Sequence, residues 1–218
     1  MRKVPFTALM LVVVAAAGVW SVSVLHPLSP ALTERWGFAP ADLQHPLEWW
    51  RIVASALVTT GRRAFFEALL ALALVTGMTE WRAGTAWAAV GFWGGHVGSV
   101  LVESLLVALP MWWLGWPLGK ELATVPGVGA SAAYVGSLGL LVALLPRRFS
   151  LPVAGVTILA LLVRVLPPSS AAADLRALSL TDGIVHLLAF VGVYSARMLW
   201  QRRQERVACL GEPVDPAV

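Results

Sequence analysis

Long apolar runs recur along nearly the whole chain, separated by short breaks of proline, glycine and arginine. A hydrocarbon core about 30 Å thick takes roughly 20 helical residues to cross. On that scale six spans can be drawn, at about 4–25, 64–79, 85–109, 129–146, 151–167 and 182–200. The expected fold class is therefore all-α. A polytopic bundle of six transmembrane helices forms one domain over residues 1–200, and 201–218 follow as a polar cytoplasmic tail. The longest interruption, residues 26–63, opens with prolines and polar turns and then holds a tryptophan-rich apolar piece too short to span. Such a piece is expected to lie in the membrane surface as an interfacial loop between the first two helices.

Composition agrees with this pattern. Of the 218 residues 58% are hydrophobic and 13% charged, with a mean hydropathy of +0.77, whereas about a quarter of an ordinary soluble domain is charged. The formal charge of +4 comes from arginine-rich loops without the aromatic interleaving of a nucleic-acid surface, so no nucleic-acid partner is expected. Nine of the sixteen basic residues, including Arg147-Arg148 and Arg202-Arg203, fall on the side that holds the N-terminus. That bias places both termini in the cytoplasm, and the expected location is the plasma membrane of a bacterium. Several of the eleven tryptophans, among them Trp49, Trp50, Trp112, Trp113, Trp116 and Trp200, stand near span ends, where amphipathic rings suit the headgroups. The opening segment has the basic start of a signal peptide, but its apolar run of about 20 residues exceeds the usual 7–15, so it reads as a retained first helix. The single cysteine, Cys209, leaves no intramolecular disulfide and no multi-cysteine metal site.

Two polar residues inside the apolar pattern carry candidate chemistry. In a six-span bundle the fourth and sixth helices run in the same direction. Ser131 stands sixteen residues before Arg147, and His186 sixteen before Arg202. At ~1.5 Å per residue each lies about 24 Å from its arginine pair, so the two should be level. A serine hydroxyl needs a base within hydrogen-bond reach to act as a nucleophile, and a neutral imidazole supplies one. Small residues around both positions, Gly127, Gly129, Ala130, Ala132, Ala133 and Gly136 on one helix and Ala189 and Gly192 on the other, favour close approach. The competing reading is that Ser131 only packs and bonds back to its own helix.

The motifs resemble those of the rhomboid family of six-helix intramembrane serine proteases over roughly residues 48–200. "GASAAYVGSLG" (129–139) is similar to the family's Gly-x-Ser-Gly motif and nominates Ser131 as nucleophile. "DGIVHLLAFVG" (182–192) resembles the sixth-helix histidine motif and nominates His186 as base. "EWWRIVASAL" (48–57) is similar to the Trp-Arg element of the family's first loop, here Trp50-Arg51, and "TEWRAG" (79–84) to its turn after the second span, with Glu80 at the acid position. The resemblance implies hydrolysis of a peptide bond in transmembrane protein substrates by a Ser–His dyad, without cofactor or metal.

The chain also departs from that pattern. Where the family carries His-x-x-x-Asn to stabilise the oxyanion, this sequence has Arg63 and Glu67, and an ionised carboxylate donates no hydrogen bond. Arg63 precedes Glu67 by one turn, so the two read as an ion pair. Arg63 swinging in as a donor is the alternative, and backbone N–H groups around Gly129, Ala130, Ser131 and Ala132 offer a second way to hold an oxyanion. Family glycines are replaced by Ala132, Ala189 and Val193, the last bulky enough to work against close approach of the fourth and sixth spans. His96, among Gly91, Gly94, Gly95 and Gly98, reads as part of a packing face. With Glu103 as its only companion, it lacks the ligands of a metal site. The alternative function is therefore an inactive rhomboid-like pseudoprotease that binds or escorts membrane proteins. A small transporter is more distant, since no inverted repeat is visible.

Overall fold

In the computed structural model, which describes residues 3–165 and 173–209, nine helices follow one another. They are α1 (Pro5–Trp20), α2 (Pro30–Trp36), α3 (Trp50–Ser55), α4 (Arg62–Ala83), α5 (Thr85–Trp113), α6 (Pro117–Thr124), α7 (Ser131–Ala143), α8 (Arg147–Val165) and α9 (Ala173–Cys209). Two short 3-10 turns, Pro40–Gln44 and Pro46–Glu48, lie between α2 and α3. No strand forms among the described residues; Phe38 and Gly127 make one isolated antiparallel bridge. Prolines open α1, α2, α6 and both 3-10 turns, where a missing N–H costs nothing.

Among the described residues four helices are long and apolar enough to cross a membrane: α4, α5, α8 and the Ala177–Cys209 part of α9. They mark a membrane protein. The other two expected spans are shorter. α1 has 16 residues and α7 has 13, and α7 rises only about 20 Å. α1 stops at Trp20 rather than near 25. There the chain turns through Val22 at φ 60°, and the buried Ser21 and Ser23 hydroxyls bond to each other (3.1 Å) and onward to Thr59 (3.0 Å). At the other end, α9 shows no break at residue 200 and continues to Cys209, because 201–209 contain neither glycine nor proline. The end of the fifth expected span at 166–167, Arg2 and the tail beyond 209 lie outside the described residues. π-helical turns widen α4 at Leu72–Thr76 and α5 at Val90–Gly94 and Ser104–Ala108. The last precedes Pro110, whose ring cannot donate to the preceding turn.

α7 is the centre of the packing. Its Gly136 faces α5: a Cβ there would meet Gly91 O at 2.5 Å and Gly95 Cα at 2.6 Å. Its Gly139 faces α9, where a Cβ would meet Phe190 O at 2.6 Å. Only hydrogen fits at either position, so two helices approach α7 nearly backbone to backbone. The expectation that Gly136 and Gly192 belong to the α7–α9 contact is corrected here: Gly136 serves α5, and Gly192 is exposed with open space around it. Val193 does not hold α7 and α9 apart, since their contact is the broadest between any two helices. α8 lies at the periphery, mostly against α9, and turns Leu151, Val156, Leu159 and Val163 outward, as a lipid-facing helix must.

α1 is fastened by a buried carboxylate. Glu80, 1% exposed near the end of α4, accepts hydrogen bonds from Phe6 N (3.0 Å), Thr7 N (2.8 Å), Thr7 Oγ1 (2.8 Å) and Thr85 Oγ1 (2.8 Å). The first N–H groups of a helix have no partners within it. A carboxylate also suits the positive end of the helix dipole. Glu80 meets both needs for α1.

Candidate functional site

Ser131 is the first residue of α7 and half-buried; the turn before it is made by Gly129. Gly129 has φ +145°, a conformation that side chains other than glycine's rarely adopt, so glycine is needed to aim the chain into the helix. Ala130, fully buried, precedes the serine and bears no side-chain cap, leaving the first N–H groups of α7 without side-chain partners there.

The loop that delivers Ser131 is held by the 26–63 connection at two points. Phe38 and Gly127 exchange backbone hydrogen bonds (3.0 and 2.9 Å), and Gly129 N donates to Ser55 O at 2.8 Å. The end of α3 that provides Ser55 is in turn latched to α5. Buried His96 places Nε2 2.9 Å from Ile52 O and 3.2 Å from Ser55 Oγ. The carbonyl requires Nε2 to carry the proton, so His96 works as a fastener between the surface loop and the bundle.

His186 lies in α9 and is 2% exposed. Val185 and Ala189, its neighbours, share a buried cluster with Ala132 and Val135 of α7, so the two helices pack at the level of the candidate residues. α7 and α9 run in the same direction, with Gly139 against Phe190 and Ala143 O receiving Gln201 Nε2 at 3.4 Å. Counting back from the first contact, Ser131 stands eight residues away and His186 four. These steps put their Cα atoms about 12 and 6 Å along the axes. Equal spacing to the arginine pairs does not carry over to equal Cα depth, because Arg147 opens a separate helix rather than ending α7. A helical side chain leans back over the preceding turn, and the imidazole reaches further in that direction than the serine hydroxyl does.

Both ring nitrogens of His186 are buried and make no hydrogen bond, so the imidazole and the Ser131 hydroxyl are not hydrogen-bonded to each other here. Asp182, one turn earlier on the same face, brings Oδ2 to 3.3 Å from His186 Nδ1, within ion-pair distance though not aligned as a hydrogen bond. Sequence reasoning gave Asp182 no role. The i,i+4 spacing of "DGIVH" was the signal available for it.

The remaining candidates lie apart from this pair. Arg63 and Glu67 form an ion pair with each other at 2.6 Å, and their side chains are 92% and 55% exposed. Trp50 stacks edge-on against Trp36 (5.3 Å between ring centroids), which meets Trp20 in the same way at 5.1 Å. Arg51 pairs with Glu48 at 2.7 Å and Asp42 at 3.4 Å, which holds the turns ahead of α3. Glu103 is buried in α5, and its Oε1 has no hydrogen bond. Among the described residues no group of three or more His, Cys, Asp or Glu side chains is placed to hold a metal. Comparison of the chain with family models, with curated proteins and with solved structures gives no match.

Proposed function

We propose that this chain is a rhomboid-like intramembrane serine protease that cleaves transmembrane protein substrates, with Ser131 as nucleophile and His186 as base. The observation that carries the proposal is a buried imidazole with no hydrogen bond at either nitrogen, on a helix packed against the one that Ser131 opens. A buried, unpartnered polar group is costly to the fold and is kept where it has a use. Asp182 beside Nδ1 favours the tautomer with the proton on that nitrogen. Nε2 is then free to take the hydroxyl proton and return it to the leaving amine. The first N–H groups of α7 serve as oxyanion donors in place of the family's side chains. In this reading α1 and α7 complete a six-span bundle, both termini are cytoplasmic in a bacterial plasma membrane, and lipid surrounds the protein.

The test is labelling with a serine-directed fluorophosphonate in detergent, comparing the parent with Ser131→Ala and His186→Ala. The expected result is that both substitutions abolish labelling. Labelling indifferent to both removes the protease reading. One observation favours the second reading, a pseudoprotease that retains or escorts membrane proteins: Arg63 and Glu67 satisfy each other at the surface and offer no side-chain donor to an oxyanion. Under that reading the parent itself is not labelled.

A further inference from the structure

At the end of α7 opposite Ser131, the start of α8 and the last turns of α9 enclose a half-open cleft of about 440 Å³. Arg147, Arg197 and Arg202 line it, with a single carboxylate, Glu205. None of the three arginines is in an ion pair among the described residues. Arg197 is the most constrained. Its guanidinium lies 4.3 Å over the ring of Trp87, Trp87 packs edge-on against Trp200 at 5.8 Å, and its Nε is buried without a hydrogen bond. Stacking uses the face of a guanidinium and leaves its in-plane N–H donors unspent. Arg148, by contrast, sits 4.8 Å over Phe149 and does not line the cleft.

We propose that this cleft binds the phosphate headgroup of an anionic phospholipid. Three guanidinium groups against one carboxylate leave a surplus positive charge of two, which selects an anionic headgroup over a zwitterionic one. Guanidinium forks match phosphate oxygens in geometry as well as charge. The position fits a lipid rather than a solute. Trp87 in the first turn of α5 and Trp200 beside Arg202-Arg203 are the kind of aromatic residues that mark the headgroup level at the ends of membrane helices. Exposed Phe149 and Leu151 on α8 and Leu199 on α9 offer apolar surface beside the cleft for acyl chains. Basic pockets between membrane helices take headgroups in this way. The site is remote from Ser131 and independent of any proteolytic activity.

The experiment measures thermal unfolding of the full chain in neutral detergent during titration with short-chain phosphatidylglycerol, short-chain phosphatidylcholine or inorganic phosphate. Phosphatidylglycerol is expected to raise the midpoint saturably and phosphatidylcholine to leave it unmoved. An Arg147→Gln, Arg202→Gln double variant should need roughly twenty-five times more phosphatidylglycerol, at about a factor of five per basic residue. Both residues are exposed, and the variant's midpoint without lipid checks that it is folded. A control that loses two exposed arginines elsewhere, Arg35→Gln with Arg62→Gln, should keep the parent response. Equal responses to the two lipids, or equal losses in the two double variants, overturn the proposal. A saturable response to inorganic phosphate alone assigns the cleft to a soluble phosphate and overturns the lipid.

Discussion

Asp182 and Glu80 show how differently one carboxylate can be used. Glu80 is buried and accepts from two backbone N–H groups and two hydroxyls, so it is a structural anchor for α1. Glu80→Ala strands those donors and is expected to destabilise the protein by about 3 kcal/mol. The measurement is the unfolding midpoint, together with faster amide exchange at Phe6 and Thr7. Glu80→Gln should fail as well, because its NH₂ would face donors. Asp182 is half-exposed beside the His186 imidazole, the proposed base, and its loss should spare the fold. Asp182→Asn is expected to slow fluorophosphonate labelling at least about tenfold by weakening the hold on the His186 tautomer, with the unfolding midpoint unchanged. Neither carboxylate can be ranked from composition. Glu80 was noticed through a motif, whereas Asp182 needed its distance to the imidazole.

At the scale of helices and loops, glycine positions decide what α7 can touch. Gly136 and Gly139 have no room for a side chain, and Gly192 has ample room. Gly139→Val is expected to cost about 1–3 kcal/mol or to prevent assembly, while Gly192→Ala should be neutral or slightly stabilising by its better helix propensity. Unfolding midpoints in detergent distinguish the two. Gly129→Ala addresses the turn into Ser131: the fold should survive with a loss of about 1 kcal/mol or more from the positive φ, and labelling of Ser131 should fall because its helix start is re-aimed. Gly129, Gly136 and Gly139 lie in one glycine-spaced stretch of the sequence, and Gly192 closes the histidine motif of α9. Their different partners were hidden there because each helix spacing is compatible with more than one neighbour.

Taken as a whole, the molecule is a helical membrane protein in which a surface connection reaches into the site. Residues 26–63 hold the loop ahead of Ser131 through Phe38 and Ser55, and His96 clasps that connection to α5. The exposed Cys209 at the end of α9, the single cysteine of the chain, provides a native topology probe. If both termini are cytoplasmic, a membrane-impermeant maleimide should label Cys209 only after the membrane is opened, and Cys209→Ser should abolish the signal. Labelling of intact cells would reverse the proposed orientation.

Apolar run length and the paucity of charge determined, without coordinates, that the chain is all-helical and membrane-embedded, because hydrocarbon leaves the backbone no partners but its own. They also placed the ends of α4, α5 and α7 to within four residues, since proline and glycine act locally, but not the end of α1 or either end of α9. The tertiary structure alone decided that α7 is short and central, that Gly136 belongs to α5, that Arg63 and Glu67 satisfy each other at the surface, and that Asp182 stands beside His186. Those outcomes depend on which faces of which helices meet. In a chain apolar on nearly every side, hydrophobic periodicity has little contrast, and contacts of a few ångströms between distant residues must choose the partners.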